Sequence, residues 1–179
     1  MNIVIIGGSR GIGRAICLEL ARGRANVMLC YAGNEEAALD TAAACEALGA
    51  KAAAMRCDVS KTDEVKALVD AALQQFGAVH ILVNNAGLMK RVPMVEMSHA
   101  DFMRVIDVHV GGAFNCSKAV LPDMMEKREG KIINICSMMS ELGRETVSAY
   151  AAAKGALKML TKNIASEYGE DNLSLIHIS

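Results

Sequence analysis

The chain has 179 residues, a length that suits one domain with a sizeable core. Hydrophobic residues make up 53% of it and aromatic residues only 3%, so aliphatic side chains and methionine must fill that core. The formal net charge of -1 gives no electrostatic basis for binding nucleic acid or an anionic membrane. No basic segment precedes the first apolar run and charged residues interrupt each apolar stretch. We therefore expect a cytoplasmic protein without a signal peptide or a membrane span.

The cysteines stand singly along the chain, without a C-x-x-C pair or a neighbouring cluster of histidines. They are Cys17, Cys30, Cys45, Cys57, Cys116 and Cys136. This scatter indicates reduced, partly buried thiols and no metal site.

Strand-like apolar runs alternate with helical patterns. The predicted strands cover residues 2–6, 25–31, 51–57, 80–87 and 131–137, and the helical pattern after the fourth runs from about 98 to 127. Strands without strict polar alternation, each followed by a helix, are typical of a parallel sheet covered on both faces. The sequence therefore predicts an α/β fold of five β-α units in one domain.

The turn after the first strand reads GGSRGIG and contains Gly7, Gly11 and Gly13. Glycine permits a tight strand-to-helix turn and a close approach of the backbone to a phosphate, and the next helix presents free N–H groups. An ordinary glycine-rich turn is the alternative. Its position in the first β-α unit favours dinucleotide binding.

The end of the second predicted strand indicates which dinucleotide is bound. NAD-binding proteins usually place an acidic residue there to hold the ribose 2′-hydroxyl, whereas CYAGN contains none before Glu35. Arg10 in the glycine turn could meet a 2′-phosphate, or it could be a solvated loop charge. The sequence favours NADP(H), with NAD(H) as the alternative.

Two later segments also carry candidate functional residues. Asp58, after the third strand, could accept a hydrogen bond from an adenine amino group or could cap the next helix. NNAG (84–87) ends the fourth strand, at the edge where ligands bind in open α/β sheets. Tyr150 and Lys154 stand four residues apart in an alanine-rich stretch, so they share one helix face.

The glycine turn, NNAG, Ser137 and the Tyr150-x-x-x-Lys154 pair together resemble the short-chain dehydrogenase/reductase family, over most of the chain to about Asn172. The resemblance implies a Rossmann-type doubly wound parallel sheet with strand order 3-2-1-4-5. It also implies an NAD(P)(H)-dependent oxidoreductase that transfers hydride to or from a small hydroxy or keto substrate. The cofactor-binding residues that it implies are Gly7, Ser9, Arg10, Gly11, Ile12, Gly13, Asn34, Asp58, Val59, Asn85, Ala86, Gly87, Tyr150 and Lys154.

The same resemblance implies the catalytic roles. Tyr150 would donate a proton to the carbonyl oxygen during reduction, Ser137 would hydrogen-bond that oxygen, and Lys154 would favour the phenolate and hold the nicotinamide ribose. His109 stands where the family has an asparagine that helps to hold a water between the lysine and solvent. Histidine also donates and accepts hydrogen bonds, so this relay could survive, and a packed helix residue is the alternative.

Two stretches carry a narrower resemblance. The segment from KIINICS through the tyrosine helix and MKRVPMVEM (89–97) are similar to gluconate 5-dehydrogenases, also called 5-keto-D-gluconate reductases. This implies a sugar-acid substrate, with Arg91 and Arg144 as candidate partners for its carboxylate, unless both are solvated surface charges. The amino-terminal half, with YAGNEEAA, resembles 3-oxoacyl-(acyl-carrier-protein) reductases instead. A non-catalytic dinucleotide-binding protein is a third reading, which the Ser137, Tyr150 and Lys154 set disfavours.

The carboxyl-terminal residues depart from the family, because LSLIHIS replaces its next strand. We therefore expect a domain of residues 1–172 and a non-native tail of 173–179. The fifth strand would then present an unpaired edge, and the lid that excludes water would be missing. Poor folding or weak activity is the expected result. The long helices of the fourth and fifth units imply a homodimer or homotetramer in the full-length protein.

Overall fold

The computed structural model describes residues 1–178 and contains one sheet of six parallel strands in the order β3-β2-β1-β4-β5-β6. The strands are β1 (Asn2–Ile6), β2 (Asn26–Tyr31), β3 (Ala52–Arg56), β4 (Ile81–Asn84), β5 (Gly130–Ile135) and β6 (Leu173–Ile178). The predicted fold class is confirmed, as is the predicted order of the first five strands.

The helices alternate with the strands along the chain. They are α1 (Gly11–Arg22), α2 (Glu35–Ala47), α3 (Thr62–Phe76), α4 (His99–Ile106), α5 (Gly112–Lys127) and α6 (Ser148–Tyr168). Asp107–Gly111 forms a π-helical turn that joins α4 to α5 without a break. The long helix predicted for about 98 to 127 is therefore present, and its middle is widened by this turn.

The core lies on both faces of the sheet, because neighbouring residues of a strand point to opposite sides. In β1, Ile3 and Ile5 pack with α1 and α2 on one face, whereas Val4 and Ile6 pack with α3 and α5 on the other. All five residues of β1 are buried. Burial on both sides explains why the strands lack polar alternation in the sequence.

The fourth strand ends earlier than predicted, at Asn84 rather than at residue 87. Asn85 still donates its backbone N–H to the Ile6 carbonyl at 3.2 Å, and the chain then leaves the sheet as a loop. This loop lies at the carboxyl ends of the strands, which is the ligand-binding edge of open parallel sheets.

The prediction that the fifth strand has an unpaired edge is wrong. β6 pairs in parallel with β5 along its whole length, from Gly130–Leu173 to Ile135–Ile178. Leu173 is buried and Leu175 packs against the core, whereas Ile176 and Ile178 are about half exposed on the outer face. Asn172 adopts a left-handed backbone conformation at the turn into β6. Its side-chain amide donates a hydrogen bond to the Arg128 carbonyl at 2.9 Å. The assignment of residues 173–179 to a non-native tail stays a prediction, and residue 179 lies outside the described residues.

Two composition-based expectations concern membranes and cysteines. Among residues 1–178, no helix has the length and apolar character that crossing a membrane requires. All six cysteines are free thiols and are fully buried, whereas the sequence indicated partial burial.

Candidate active site

The glycine turn and the NNAG segment are locked together at the carboxyl ends of β1 and β4. The side-chain amide of Asn85 donates to the Gly7 carbonyl oxygen at 3.0 Å. A Cβ atom at Gly7 would lie 2.9 Å from the Ala86 Cα, and one at Gly13 would overlap the Gly7 carbonyl oxygen. The close approach of three backbone segments therefore requires glycine at both positions.

A cleft of about 540 Å³ lies above this junction. The predicted cofactor residues that line it are Gly7, Ser9, Arg10, Gly11, Ile12, Asn34, Asp58, Val59, Asn85, Ala86 and Gly87. Gly13 lies beneath the turn rather than in the wall, while Tyr150 and Lys154 lie outside this cleft. The wall also contains residues that the sequence did not single out, namely Cys30, Tyr31, Ala32, Gly33, Cys57, Leu88, Arg104 and Val108.

The residues at the start of α1 fit the diphosphate of a dinucleotide. Gly11 adopts a left-handed φ of +54°, and a Cβ atom added there would meet no other atom within 4 Å. Arg10 precedes the helix without capping it through its side chain, so the first backbone N–H groups remain free beside the cleft. Such N–H groups and the positive end of the helix dipole favour a phosphate.

Asn34 and Arg10 differ in how firmly they are held. The Asn34 side-chain oxygen accepts from the Ala37 backbone N–H at 3.0 Å and so caps α2. Its amide NH₂ faces no protein acceptor within residues 1–178. Arg10 is exposed, and its guanidinium forms no ion pair in the described part of the chain.

Asp58 is held by residues from two elements. Its carboxylate accepts from the Ser60 hydroxyl at 2.7 Å and from Arg104 of α4 at 3.2 Å. These bonds, that from Ser60 foremost, lower the pKa of Asp58. The alternative that Asp58 caps α3 is wrong, because that helix begins at Thr62 and is preceded by Lys61. No sequence signal pointed to Arg104, which stands 46 residues away.

Tyr150 and Lys154 occupy one face of α6, as their spacing predicts. The Lys154 Nζ lies 5.6 Å from the centroid of the Tyr150 ring and donates to the Ile135 carbonyl at 2.5 Å. Lys154 is only 4% exposed, and this burial lowers its pKa to about 8. A buried ammonium, fixed by the Ile135 carbonyl, is thus held beside the phenol ring.

Ser137 follows β5 two residues after Ile135. Its hydroxyl oxygen accepts from the Met139 backbone N–H at 3.1 Å and caps a short 3-10 turn, Met138–Ser140, which packs against α6. The hydroxyl proton remains available for a ligand. The structure thus brings Ser137 to the same end of the sheet as the Ile135 carbonyl, which holds the Lys154 ammonium.

His109 lies at the centre of the π-helical turn and is 3% exposed. Its Nε2 lies 2.8 Å from the Leu88 carbonyl oxygen, and its ring meets the Tyr150 ring edge-on at 5.4 Å. A Cβ atom at Gly87 would overlap the imidazole, so the ring packs directly under the NNAG loop. Burial and the nearby Lys154 charge lower the pKa of His109 to about 4. The residue is therefore a neutral imidazole at pH 7, and its buried Nδ1 has no partner within residues 1–178.

Arg91 and Arg144 are exposed on two neighbouring loops. The Val92 N–H donates to the Thr146 carbonyl at 3.0 Å and joins these loops. Thr146 has φ of +64°, an uncommon conformation for a β-branched residue. This link holds the segment before Tyr150 against the segment after NNAG.

The parallel sheet with its glycine turn and ligand cleft defines a dinucleotide-binding α/β protein. A family model described as short chain dehydrogenase matches residues 1–179. The chain belongs to this family, whose members are NAD(P)-dependent oxidoreductases that act on CH–OH groups.

Individual relatives differ in their substrates. The chain is 42% identical over 172 residues to the 2-dehydro-3-deoxy-D-gluconate 5-dehydrogenase of Formosa agariphila, covering 96% of this chain and 65% of that relative. It is 38% identical to the 5-keto-D-gluconate 5-reductase of Escherichia coli, covering 97% and 68%. It is 37% identical to a 3-oxoacyl-(acyl-carrier-protein) reductase of Staphylococcus epidermidis, covering 97% and 71%. The chain thus spans about two thirds of the length of these curated relatives.

A solved structure shares the fold closely. The acetoin dehydrogenase of Enterobacter cloacae superposes with a TM-score of 0.93 at 33% identity, covering 99% of this chain and 71% of that one.

Proposed function

We propose that this chain carries the hydride-transfer site of an NAD(P)(H)-dependent oxidoreductase that interconverts a hydroxyl and a carbonyl group. The observation that carries the proposal is the position of the buried Lys154 ammonium, 5.6 Å from the Tyr150 ring and anchored to the Ile135 carbonyl. A protein that only binds dinucleotide has no need for this pairing. A bound nicotinamide would supply the hydride chemistry.

Tyr150 moves the substrate proton. In reduction its hydroxyl donates a proton to the carbonyl oxygen that becomes the alcohol, and in oxidation its phenolate takes the proton back. The Lys154 ammonium places a positive charge 5.6 Å from the centre of the Tyr150 ring, beside the proton donor. Ser137 donates its hydroxyl hydrogen to the same substrate oxygen and fixes its position beside Tyr150.

His109 acts in this site as a hydrogen-bonding group on the proton path. Its Nε2 lies 2.8 Å from the Leu88 carbonyl oxygen and 3.1 Å from the Leu88 backbone nitrogen, and its buried Nδ1 has no partner within residues 1–178. Lys154 lies close enough for its charge to add to burial in lowering the pKa of His109. A buried polar atom of this kind favours a water molecule that bonds to both groups. Neutral His109 would therefore take the place of the family asparagine.

The substrate that we propose is a sugar acid, namely the D-gluconate and 5-keto-D-gluconate pair. Identities of 42% and 38% to two relatives named for gluconate-type substrates support this class. Arg91 and Arg144 supply exposed guanidinium groups on the joined loops beside the site, and such groups bind a carboxylate in a bidentate manner.

NADP(H) is the proposed cofactor because Arg10 is exposed at the cleft and has no acidic partner among residues 1–178. Arg10→Ala should weaken NADPH binding by about tenfold and leave NADH binding nearly unchanged, because only NADPH carries the 2′-phosphate. Calorimetric titration with both dinucleotides measures this difference. An equal loss for both dinucleotides would instead assign Arg10 to the shared diphosphate.

A matched pair of tyrosine variants tests the proposed reaction. Tyr150→Phe should lower kcat for NADPH-linked reduction of 5-keto-D-gluconate by about 10²–10⁴-fold while dinucleotide binding persists, because the proton donor is lost and the cleft is left intact. Tyr168→Phe, at the other end of α6, should retain full activity. Equal activity of Tyr150→Phe and the unsubstituted protein would reject the enzyme proposal.

A second candidate substrate is a 3-oxoacyl thioester. It is supported by the 37% identity over 174 residues to the Staphylococcus epidermidis reductase. An assay of acetoacetyl thioester against 5-keto-D-gluconate distinguishes the two substrates. Arg91→Ala and Arg144→Ala should reduce activity only toward the sugar acid, because only that substrate carries a free carboxylate.

The outer face of α5 and α6 is the proposed contact between protomers. Phe114 and Met125 of α5 and Met159 of α6 are between 37% and 62% exposed, and a groove of about 420 Å³ runs between the two helices. Exposed apolar patches of this kind mark interaction sites. Phe114→Glu should therefore shift the protein from dimer or tetramer to monomer, as light scattering after size-exclusion chromatography would measure.

A further inference from the structure

The segment that follows β3 is held in the wall of the cleft by contacts from two helices. Glu64 of α3 accepts the Asp58 backbone N–H at 2.8 Å, and Asn115 of α5 donates its side-chain amide to the Val59 carbonyl at 3.0 Å. A Cβ atom at Gly112 of α5 would lie 2.5 Å from a methyl carbon of Val59, so this helix packs closely on the segment. Protein contacts alone therefore fix the backbone that carries the Asp58 carboxylate.

The carboxylate itself belongs to a closed ring of hydrogen bonds. Its Oδ1 accepts from the Ser60 backbone N–H at 3.0 Å and from the Ser60 hydroxyl at 2.7 Å. Its Oδ2 accepts from Nη2 of Arg104 at 3.2 Å, and the other guanidinium nitrogen, Nη1, donates to the Ser60 hydroxyl oxygen at 3.1 Å. Arg104 thus holds the carboxylate directly and also holds the hydroxyl group that orients it.

Arg104 reaches this ring from a firmly packed helix. The next residue of α4, Val105, is fully buried and packs with Ala149 and Ala153 of α6. The Arg104 side chain is 49% exposed, and an ion pair of that exposure adds little to the free energy of unfolding. The contribution of this contact is therefore to orient the Asp58 carboxylate.

The ring leaves one acceptor position of the carboxylate open. A carboxylate oxygen accepts about two hydrogen bonds, so Oδ1 is filled, whereas Oδ2 keeps one free lone pair among residues 1–178. Asp58 and Arg104 both line the cleft. Hydrogen bonds, that from Ser60 foremost, lower the pKa of Asp58, so the group is ionised at neutral pH and accepts hydrogen bonds without donating any.

We propose that Arg104 is a positioning residue that makes the cleft select an adenine dinucleotide over its hypoxanthine counterpart. It turns the free lone pair of Asp58 Oδ2 toward the purine, where the 6-amino group of adenine donates a hydrogen bond. Hypoxanthine carries a carbonyl oxygen at the same position, and two acceptors that face each other repel. This inference rests on the proposed function, because it requires the adenosine half of the cofactor to lie beside Asp58.

The test compares the binding of NADP⁺ and nicotinamide hypoxanthine dinucleotide phosphate, which differ only in the purine base. In calorimetric titrations the unsubstituted protein should bind NADP⁺ about 10- to 100-fold more tightly, as expected for one hydrogen bond to a charged acceptor. Arg104→Ala should reduce this ratio to about threefold or less, because the carboxylate is then free to rotate. Asp58→Asn should abolish the preference, because an amide can also donate to the hypoxanthine carbonyl.

Lys90→Ala is the matched control, because Lys90 pairs with Asp101 of the same helix at 3.7 Å and neither residue lines the cleft. This variant should keep the full preference for NADP⁺. Equal affinity of the unsubstituted protein for the two dinucleotides would overturn the inference and leave the proposed oxidoreductase function standing.

Two further outcomes would also contradict it. An equal loss of affinity for both dinucleotides in Arg104→Ala would show that the guanidinium contacts the cofactor itself rather than acting through Asp58. Failure of the unsubstituted protein to bind either dinucleotide would overturn the proposed function together with this inference.

Discussion

The two halves of the site are built on different principles. In the amino-terminal half, the glycine turn and the NNAG segment form the cleft from closely packed backbone, where even a Cβ atom at Gly13 would overlap a carbonyl oxygen. In the carboxyl-terminal half, the chemistry depends on the side chains of Ser137, Tyr150 and Lys154. We therefore expect added side-chain volume to abolish dinucleotide binding in the amino-terminal half. In the carboxyl-terminal half, we expect changes in charge or protonation to abolish catalysis.

Gly13→Ala should have the largest effect on stability, because it tests the steric half directly. The added methyl group must push α1 away from the Gly7 carbonyl, which should cost about 3 kcal/mol of unfolding free energy and abolish dinucleotide binding. Gly33→Ala is the matched control, since it lines the same cleft and a Cβ atom there meets nothing within 4 Å. Urea unfolding and calorimetric titration with NADP⁺ measure both variants, and equal behaviour of the two would contradict the steric argument.

His109→Asn should change the dependence of stability on pH. The pKa of His109 is about 4 in the folded protein and about 6.5 when unfolded, so the unfolded chain binds the extra proton between these values. Stability should thus decrease as pH falls below 6.5, by about 2 kcal/mol between pH 7 and pH 5.

Asparagine removes this titration, so the His109→Asn variant should lose about 2 kcal/mol less than the unsubstituted protein over that interval. His99→Asn, an exposed histidine in α4, serves as the control and should behave like the unsubstituted protein. Urea unfolding at both pH values gives the comparison. If His109→Asn and the unsubstituted protein lose stability in parallel, His109 is not the acid-sensitive group.

The ionisation of Lys154 should lower kcat at high pH. Its pKa of about 8 means that the ammonium is lost as pH rises through that value, and the positive charge beside the Tyr150 ring is lost with it. The kcat should fall about tenfold between pH 7 and pH 9.

Lys158→Gln is the control for this pH profile, because Lys158 lies one turn further along α6 and pairs with Glu141. This variant should keep the same alkaline decrease in kcat. A kcat that stays constant to pH 9 would show that Lys154 keeps its charge during turnover.

Arg104→Ala should have the smallest effect. The guanidinium is 49% exposed in its pair with Asp58, and exposed ion pairs contribute about 0.2–1 kcal/mol. Unfolding free energy should thus decrease by about 0.5 kcal/mol, measured by urea unfolding. Arg22→Ala removes the exposed pair with Glu19 and gives the stability loss expected for an ordinary surface ion pair. If Arg104→Ala lowers the unfolding free energy several times more than Arg22→Ala, the role of Asp58 is to stabilise the fold rather than to bind the cofactor.

The sequence predicts what depends on local patterns. The strand and helix alternation, the glycine turn and the one-turn spacing of Tyr150 and Lys154 follow from short-range periodicity and backbone chemistry, and each was recognisable. Contacts between distant segments were not. Arg104 reaches Asp58 across 46 residues, and His109 reaches the Leu88 carbonyl across 21 residues.

The error at β6 has a physical lesson. The mismatch of LSLIHIS to the family strand predicts no pairing, although Leu173 and Leu175, two residues apart, are enough to place apolar side chains against the core. These two contacts and the turn at Asn172 are present in the segment. The π-helical turn was missed for a different reason, because VIDVHVGG has the apolar content of an ordinary helix.

That turn also bears on how the protein can change in evolution. A π-helical turn contains one more residue than an α-helical path over the same length. Deleting one residue of Asp107–Gly111 would therefore restore an ordinary α-helical path and leave Cys116, Val120 and Met124 of α5 facing the core. The change would be confined to the turn itself, where His109 packs under the NNAG loop. One inserted residue is thus enough to place this imidazole in the site without rearranging the rest of the domain.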